Sequence, residues 1–282
     1  MKSRNGQFVQ LRLRTKHRSE ASRRLQLEVH SRGDAVSNFL REYGIWQRPI
    51  TVFSSQFLQR GEVAIDVGAH IGYFATVFAD AVGPEGAVFA FEPDPDNYQI
   101  LDRNRSINGF NQIKCKELAV SDQAAELKLH KSTTNLWGSS LVKKPMHRSE
   151  VSVPSAPLDQ LMDQEKRPIG LIKIDVEGAE LSVLKGMMGL LRRQSVPPAV
   201  IMEFSSSQIE AADPGLHFIL DFIYQFGFEV RPFISHEGPK VLPPRIEAET
   251  LVKIHRDFLG FGEAAELDLL LLVPEALRRW QK

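Results

Sequence analysis

Two glycines four residues apart, an acid two residues before the first, and four further carboxylates placed after apolar runs are the groups whose spacing could do chemistry. The glycines lie in Asp66-Val67-Gly68-Ala69-His70-Ile71-Gly72, after an apolar run that begins at Val63 and before Tyr73 to Val82, which reads as helix. A strand, a tight loop and a helix bring bare backbone up to a ligand, because glycine has no Cβ and the first helical N–H groups lack partners. Glu92 closes the next apolar run, Ala87 to Phe91, where a carboxylate can accept both hydroxyls of a ribose. Asp175, Glu177 and Glu203 follow two later runs and are candidates for proton transfer.

A glycine turn after a strand is ambiguous alone, since glycine there also permits close helix packing. With Glu92 it describes the adenosine-binding half of a doubly wound sheet, for a dinucleotide or for S-adenosylmethionine (SAM). A dinucleotide loop wants G-x-G-x-x-G so that backbone can approach a pyrophosphate. Here Ala69 and His70 occupy the middle of the loop, and Asp66 would repel phosphates while suiting an ammonium and a sulfonium. The loop therefore favours SAM over NAD. An NAD-dependent oxidoreductase and a non-catalytic SAM-binding scaffold are the competing readings.

Four blocks in order carry a family resemblance: Asp66 to Gly72; Phe91-Glu92-Pro93-Asp94-Pro95-Asp96-Asn97; Ala119-Val120-Ser121-Asp122; and Lys173 to Glu180 with Leu184-Lys185-Gly186. They resemble the FkbM family of SAM-dependent methyltransferases, from about Gly61 to Phe204. The resemblance implies a Rossmann-like class I methyltransferase fold, α/β, with a seven-stranded, mostly parallel, doubly wound sheet and an antiparallel last strand. It also implies O-methylation of a hydroxyl. His70 stands where the family more often has Asn, which leaves its side chain's role open.

The cofactor candidates are Asp66, Gly68, His70, Gly72 and Glu92, with Val120, Ser121 and Asp122 at the end of a third strand, Ile113 to Val120, beside the adenine. Asp122 reads equally as a loop acid making an Asx-turn. The catalytic candidates are Asp175, Glu177 and Glu203. In the fourth strand, Gly170 to Val176, Lys173 and Asp175 alternate and so share a face, where each can satisfy the other. The acids could instead hold Mg²⁺, a less favoured reading, and no metal ligand is assigned. Ser139 is a ligand candidate by resemblance, and Tyr43 and Trp46 are pocket or core aromatics.

The elements that must position these groups divide into a basic arm (1–24), a cap segment (25–60) and the methyltransferase domain (61–282). The arm carries eight Lys or Arg against one acid and reads as a solvated segment, or less readily as a patch for an anionic partner. It has no apolar core of signal-peptide or membrane-span length. The cap reads as a strand over Leu25 to Val29 and helical material to Leu58. An inserted hairpin, Ala124 to His130 and Glu150 to Val153, lies between the third and fourth strands, with a basic cluster at Lys143, Lys144, His147 and Arg148. One helix is expected to start in Glu177-Gly178-Ala179-Glu180, with Glu177 preceding it, and to run to Leu191, and another is expected over Pro214 to Phe226. A Pro-rich loop, His236 to Glu249, is a candidate lid, and Arg278 to Lys282 reads as a tail.

The net charge is zero, which gives no support for a whole-molecule grip on nucleic acid. The single cysteine, Cys115, rules out an intrachain disulfide and a multi-Cys zinc site, and suits a reducing cytoplasm. The expected acceptor is a small molecule, glycan or lipid bearing a hydroxyl.

Overall fold

Val63–Val67 and Ala87–Phe91 are buried at every position, the pattern of parallel strands covered on both faces. The computed structural model describes residues 7–12, 25–31, 34–132, 139–143, 147–233, 242–261 and 266–280. The chain opens with β1 (Gln7–Gln10), β2 (Gln26–Val29), α1 (Ala35–Tyr43) and α2 (Arg48–Phe57). It continues as β3 (Val63–Val67), α3 (Tyr73–Val82), β4 (Ala87–Phe91), α4 (Pro95–Ile107) and β5 (Ile113–Lys116). Then come β6 (Ala119–Val120), β7 (Ala125–Ser132), β8 (His147–Ala156), α5 (Leu158–Leu161) and β9 (Ile169–Ile174). The last third holds α6 (Glu180–Lys185), α7 (Met188–Arg192), β10 (Ala199–Ser205), α8 (Ser206–Ala212), α9 (His217–Phe226), β11 (Glu229–Phe233), α10 (Ala248–Phe261), β12 (Glu266–Leu272) and α11 (Pro274–Trp280).

The main sheet has seven strands in the order β11-β12-β10-β9-β3-β4-β5. All neighbours run parallel except β12, which is antiparallel to both β10 and β11. The order reverses between β3 and β9, so the carboxyl ends of these two strands open the crevice where doubly wound sheets bind ligands.

The third strand expected over Ile113 to Val120 is two strands. Ile113–Lys116 stays in the main sheet, whereas Ala119–Val120 leaves it to pair with β8, joining the β7–β8 hairpin in a separate three-stranded sheet. Glu177 precedes the helix, as expected, and the helix begins at Glu180, because Glu177 (φ 57°) and Gly178 (φ 109°) are left-handed. It also breaks into α6 and α7 after Gly186, which is pressed so closely on the Ser121 carbonyl that a Cβ would lie 2.1 Å away. The helix expected over Pro214 to Phe226 starts as a 3-10 turn and becomes regular only at His217, since Gly215 (φ 75°) and Leu216 (φ 61°) are left-handed. The segment read as a basic tail forms α11, which buries Ala276 and packs on α2. Among the described residues no helix is long and apolar enough to cross a membrane.

The first residues are tied to the domain. β1 and β2 form an antiparallel pair, with Val9, Leu27 and Val29 in the main core. Asn104 of α4, fully buried, accepts from Glu28 N and donates through Nδ2 to the carbonyls of Glu28 and Ile71. One side chain thus joins β2 to the loop after β3. Most of the arm (residues 1–6 and 13–24), Lys144, and residues 236–241 of the Pro-rich loop lie outside the described residues.

Candidate active site

β3 ends at Asp66-Val67, and the chain then turns through Gly68 (φ 80°), His70 (φ 51°) and Gly72 (φ 84°) into α3. A Cβ on Gly68 would lie 1.9 Å from the Asp175 carbonyl oxygen, so glycine is required for β3 and β9 to finish side by side. Four of the loop's backbone donors are already used. Gly68 N and Ala69 N donate to the Phe91 carbonyl at 3.0 and 2.9 Å, Gly72 N to the Ala69 carbonyl, and His70 N to Glu92 Oε2 at 2.7 Å. These four amides therefore close the loop, hold it to β4 and to Glu92, and are not free for a ligand, which leaves the first N–H groups of α3, at Tyr73 and Phe74 on the cleft wall, as the backbone donors there.

Glu92 is the hub of that arrangement. Its other oxygen accepts from Asp94 N at 2.9 Å, and burial raises its pKa to about 8 against the pull of these two N–H groups. Asp94 caps α4 and also accepts from Ser139 Oγ and Lys131 Nζ, which clamps the β7–β8 hairpin against the cleft rim. Ser140 Oγ donates to the Glu177 carbonyl and clamps the other side.

The acidic row lies one level above a buried lysine. Lys173 of β9 pairs in register with Asp66 of β3, and its Nζ lies 4.6 Å from the Phe74 ring centroid and 2.7 Å from Asp175 Oδ2. Burial disfavours its charge, but Asp175 and Asp66 outweigh that and raise its pKa, so the ammonium is retained. Asp66, 1% exposed, is raised to about 6 by burial, with Lys173 pulling the other way. Glu203 stands opposite Asp268 in the β10–β12 ladder. Carboxylate oxygens of Asp175, Glu177 and Glu203, one from each, all lie within 4.8 Å of one another. Burial first, then the neighbouring acids Asp175 and Glu177, drive the Glu203 pKa far above the carboxylate range, so it carries a proton at neutral pH. Asp268 is raised to about 7 by burial and accepts from Gln47 Nε2.

One cleft gathers most of the candidates. Asp66, Gly68, His70, Glu92, Val120, Asp175, Glu177 and Glu203 line it, as do Ser139 and Trp46. Gly72 sits behind it at the start of α3. Ser121 is buried with its Oγ donating to Asp122 Oδ1, Asp122 is exposed, and neither lines the cleft. Tyr43 is 46% exposed and packs at a tilt on the Phe39 ring outside it. The sequence reading missed Gln47, Asp34 and the apolar wall of Leu118, Ala119 and Leu129. Only the insertion's length hinted that the hairpin would supply part of that wall.

The methyltransferase FkbM domain profile matches residues 66–230, from the acid that opens the glycine loop to β11, which is more than half of the chain. The chain belongs to the FkbM methyltransferase family. Among curated relatives, the chain is 29% identical over 154 residues to methyltransferase sdnD of Sordaria araneosa, covering 44% of this chain and 59% of that protein. It is 28% identical over 135 residues to the hexuronic acid methyltransferase AglP of Haloferax volcanii, covering 48% and 53%. The matches thus span little more than half the length of these relatives. A solved FkbM methyltransferase from Methylobacillus flagellatus superposes with a TM-score of 0.43 at 16% identity, covering 76% of this chain and 44% of that one.

Proposed function

We propose that this FkbM methyltransferase binds SAM in the cleft and methylates a hydroxyl of a sugar, lipid or natural-product acceptor. The observation that carries the reading is the convergence of Asp175, Glu177 and Glu203 on the ligand edge of the sheet, beside the glycine loop. Asp66 Oδ2 and Glu203 Oε2 are buried without hydrogen-bond partners, and a ligand bearing an ammonium and a sulfonium fits such a lining where a pyrophosphate does not.

When bound, SAM supplies an electrophilic methyl group and departs as S-adenosylhomocysteine, so the acceptor oxygen gains a methyl and loses a proton. Glu92 is placed to receive the ribose hydroxyls, and Val120 with Leu118, Ala119 and Leu129 forms an apolar wall suited to the adenine. Asp175 and Glu177 are the acids left to orient the acceptor hydroxyl and take its proton, since Glu203 already holds one and acts as a hydrogen-bond donor. Lys173 fixes the Asp175 carboxylate from below. The same lysine supports a metal-free reading, because a divalent cation would have to share Asp175 with an ammonium.

The test is incubation of the purified chain with trideuteromethyl-SAM and panels of neutral glycans, uronic acids, hydroxylated lipids and polyketides, read by mass spectrometry. A labelled methyl that survives mild base is an ether and supports hydroxyl methylation. A base-labile label is a methyl ester and moves the acceptor to a carboxylate.

A further inference from the structure

The cofactor proposed for this cleft carries adenosine at one end and an amino-acid carboxylate at the other. The lining that must accept it is rich in acids, with Asp66, Glu92, Asp175, Glu177 and Glu203 all facing in, of which Glu203 and, below about pH 8, Glu92 hold protons and are neutral donors. A carboxylate entering such a site needs a positive or donating partner. The backbone offers no full charge: Gly68, Ala69, His70 and Gly72 spend their N–H groups within the protein, which leaves uncharged donors at Ile71 and the first turn of α3. Lys173 is committed to Asp175 from a side chain 3% exposed.

Among the described lining residues, the other side chain able to carry positive charge is His70. Its Nε2 is buried without a hydrogen-bond partner and lies 3.6 Å from Asp34 Oδ1, which is also buried and unpartnered. Asp34 is fixed, because its other oxygen caps α1 by accepting from Ser37 N at 2.7 Å. With Nε2 turned to Asp34, Nδ1 is the ring nitrogen left for a ligand.

We propose that His70, backed by Asp34, receives the carboxylate of the cofactor's amino-acid tail and so selects the whole cofactor over forms that lack the tail. This rests on the SAM reading above. It gives the cap segment a direct part in cofactor recognition, since Asp34 is the N-cap of α1 while His70 belongs to the glycine loop.

The charged and titratable groups around His70 set the sign of its pH dependence. Asp34 faces it from α1, His30 from the turn after β2 with ring centroids 5.7 Å apart, Glu92 and Asp94 from the turn before α4, and Asp175 from the end of β9. His30 is itself bonded to Asn97 Oδ1, and Asp94 is paired with Lys131. Burial lowers the His70 pKa in the free protein, with Asp34 opposing and His30 assisting. A ligand carboxylate raises it again, so binding takes up a proton, and affinity falls as pH rises through the imidazole range.

The experiment is calorimetric binding of S-adenosylhomocysteine and of 5′-methylthioadenosine, which lacks the amino-acid tail, to the full chain and to His70→Ala and Asp34→Asn. We expect His70→Ala to weaken the homocysteine ligand at least fivefold while changing the truncated ligand less than twofold. Asp34→Asn should move the same way by less, and affinity for the homocysteine ligand alone should fall from pH 6 to pH 8. Unchanged binding of the truncated ligand shows that the variant is folded. Equal weakening of both ligands, or of neither, overturns the assignment, and His70→Gln serves as the second variant if His70→Ala does not fold. If wild-type chain binds neither ligand, the SAM reading itself fails, an outcome distinct from failure of His70 alone.

Discussion

Lys173 Nζ donates to Asp175 Oδ2 at 2.7 Å across the boundary between core and cleft, from a side chain 3% exposed to one 28% exposed. The lysine also neutralises Asp66, which is buried in the adjacent strand. Removing it strands two carboxylates. Lys173→Met should destabilise the protein by about 3–5 kcal/mol, the usual cost of breaking a buried pair from one side. Urea titration checks this. The double variant Lys173→Met with Asp66→Asn should recover part of the loss.

Glu92 and Asp66 make stability depend on pH in a definite direction. Their folded-state pKa values, about 8 and about 6, lie above their unfolded values, so their contribution is full at acid pH and is lost as pH rises through the folded values. Without ligand, stability should therefore decline from about pH 4 to pH 8. For each group the slope is at most about 1.4 kcal/mol per pH unit between its unfolded and folded pKa. Glu92→Gln should flatten the upper part of that range and unfold at a higher Tm than wild type at pH 8, while losing cofactor affinity. Thermal melts across the pH range check both.

Three left-handed glycines should rank by what a Cβ would meet. Gly61 has open space and Gly61→Ala should cost about 1 kcal/mol from backbone strain alone. Gly72→Ala adds a contact at 2.6 Å with the movable end of Leu101 and should cost more. Gly68→Ala meets the Asp175 carbonyl oxygen at 1.9 Å, and this rigid clash should cost over about 4 kcal/mol or prevent folding. Denaturation midpoints give the order directly.

Asp175→Asn and Glu177→Gln should each lower kcat about 10²-fold or more, the range expected when a positioned acid or base is lost, while leaving S-adenosylhomocysteine affinity within a few-fold. Exhaustive EDTA treatment should leave turnover unchanged. A turnover that falls with EDTA and returns with Mg²⁺ would instead make the three converging acids a metal site.

The core of the fold was legible because buried parallel strands are written as continuous apolar runs. Ala87–Phe91 and Ala199–Met202 are such runs, Val63–Val67 is one but for Asp66, and the glycine turn after it marks the crevice. What could not be read was where a strand changes sheets. Ile113 to Val120 is one β-rich stretch, yet Glu117 and Leu118 separate residues that pair with β4 from residues that pair with β8. Helices α8 and α10 also went unread, since α8 is short and mostly polar and α10 follows a Pro-rich stretch. The site divides the same way. Spacing alone puts Asp175 and Glu203 on adjacent strands, but β10 runs two residues past Glu203, the proton held on Glu203 comes from burial among other acids, and Asp34 reaches His70 only through the packing of α1 beside the glycine loop.

The most direct test of the central claim is calorimetric titration of wild type and Glu92→Gln with S-adenosylhomocysteine and with NAD. We expect micromolar binding of the homocysteine ligand to wild type, weakened at least tenfold by Glu92→Gln, and no heat with NAD (about 1 μM corresponds to about −8 kcal/mol). Binding of NAD, or homocysteine-ligand binding that Glu92→Gln leaves unchanged, would contradict the placement of the cofactor in this cleft.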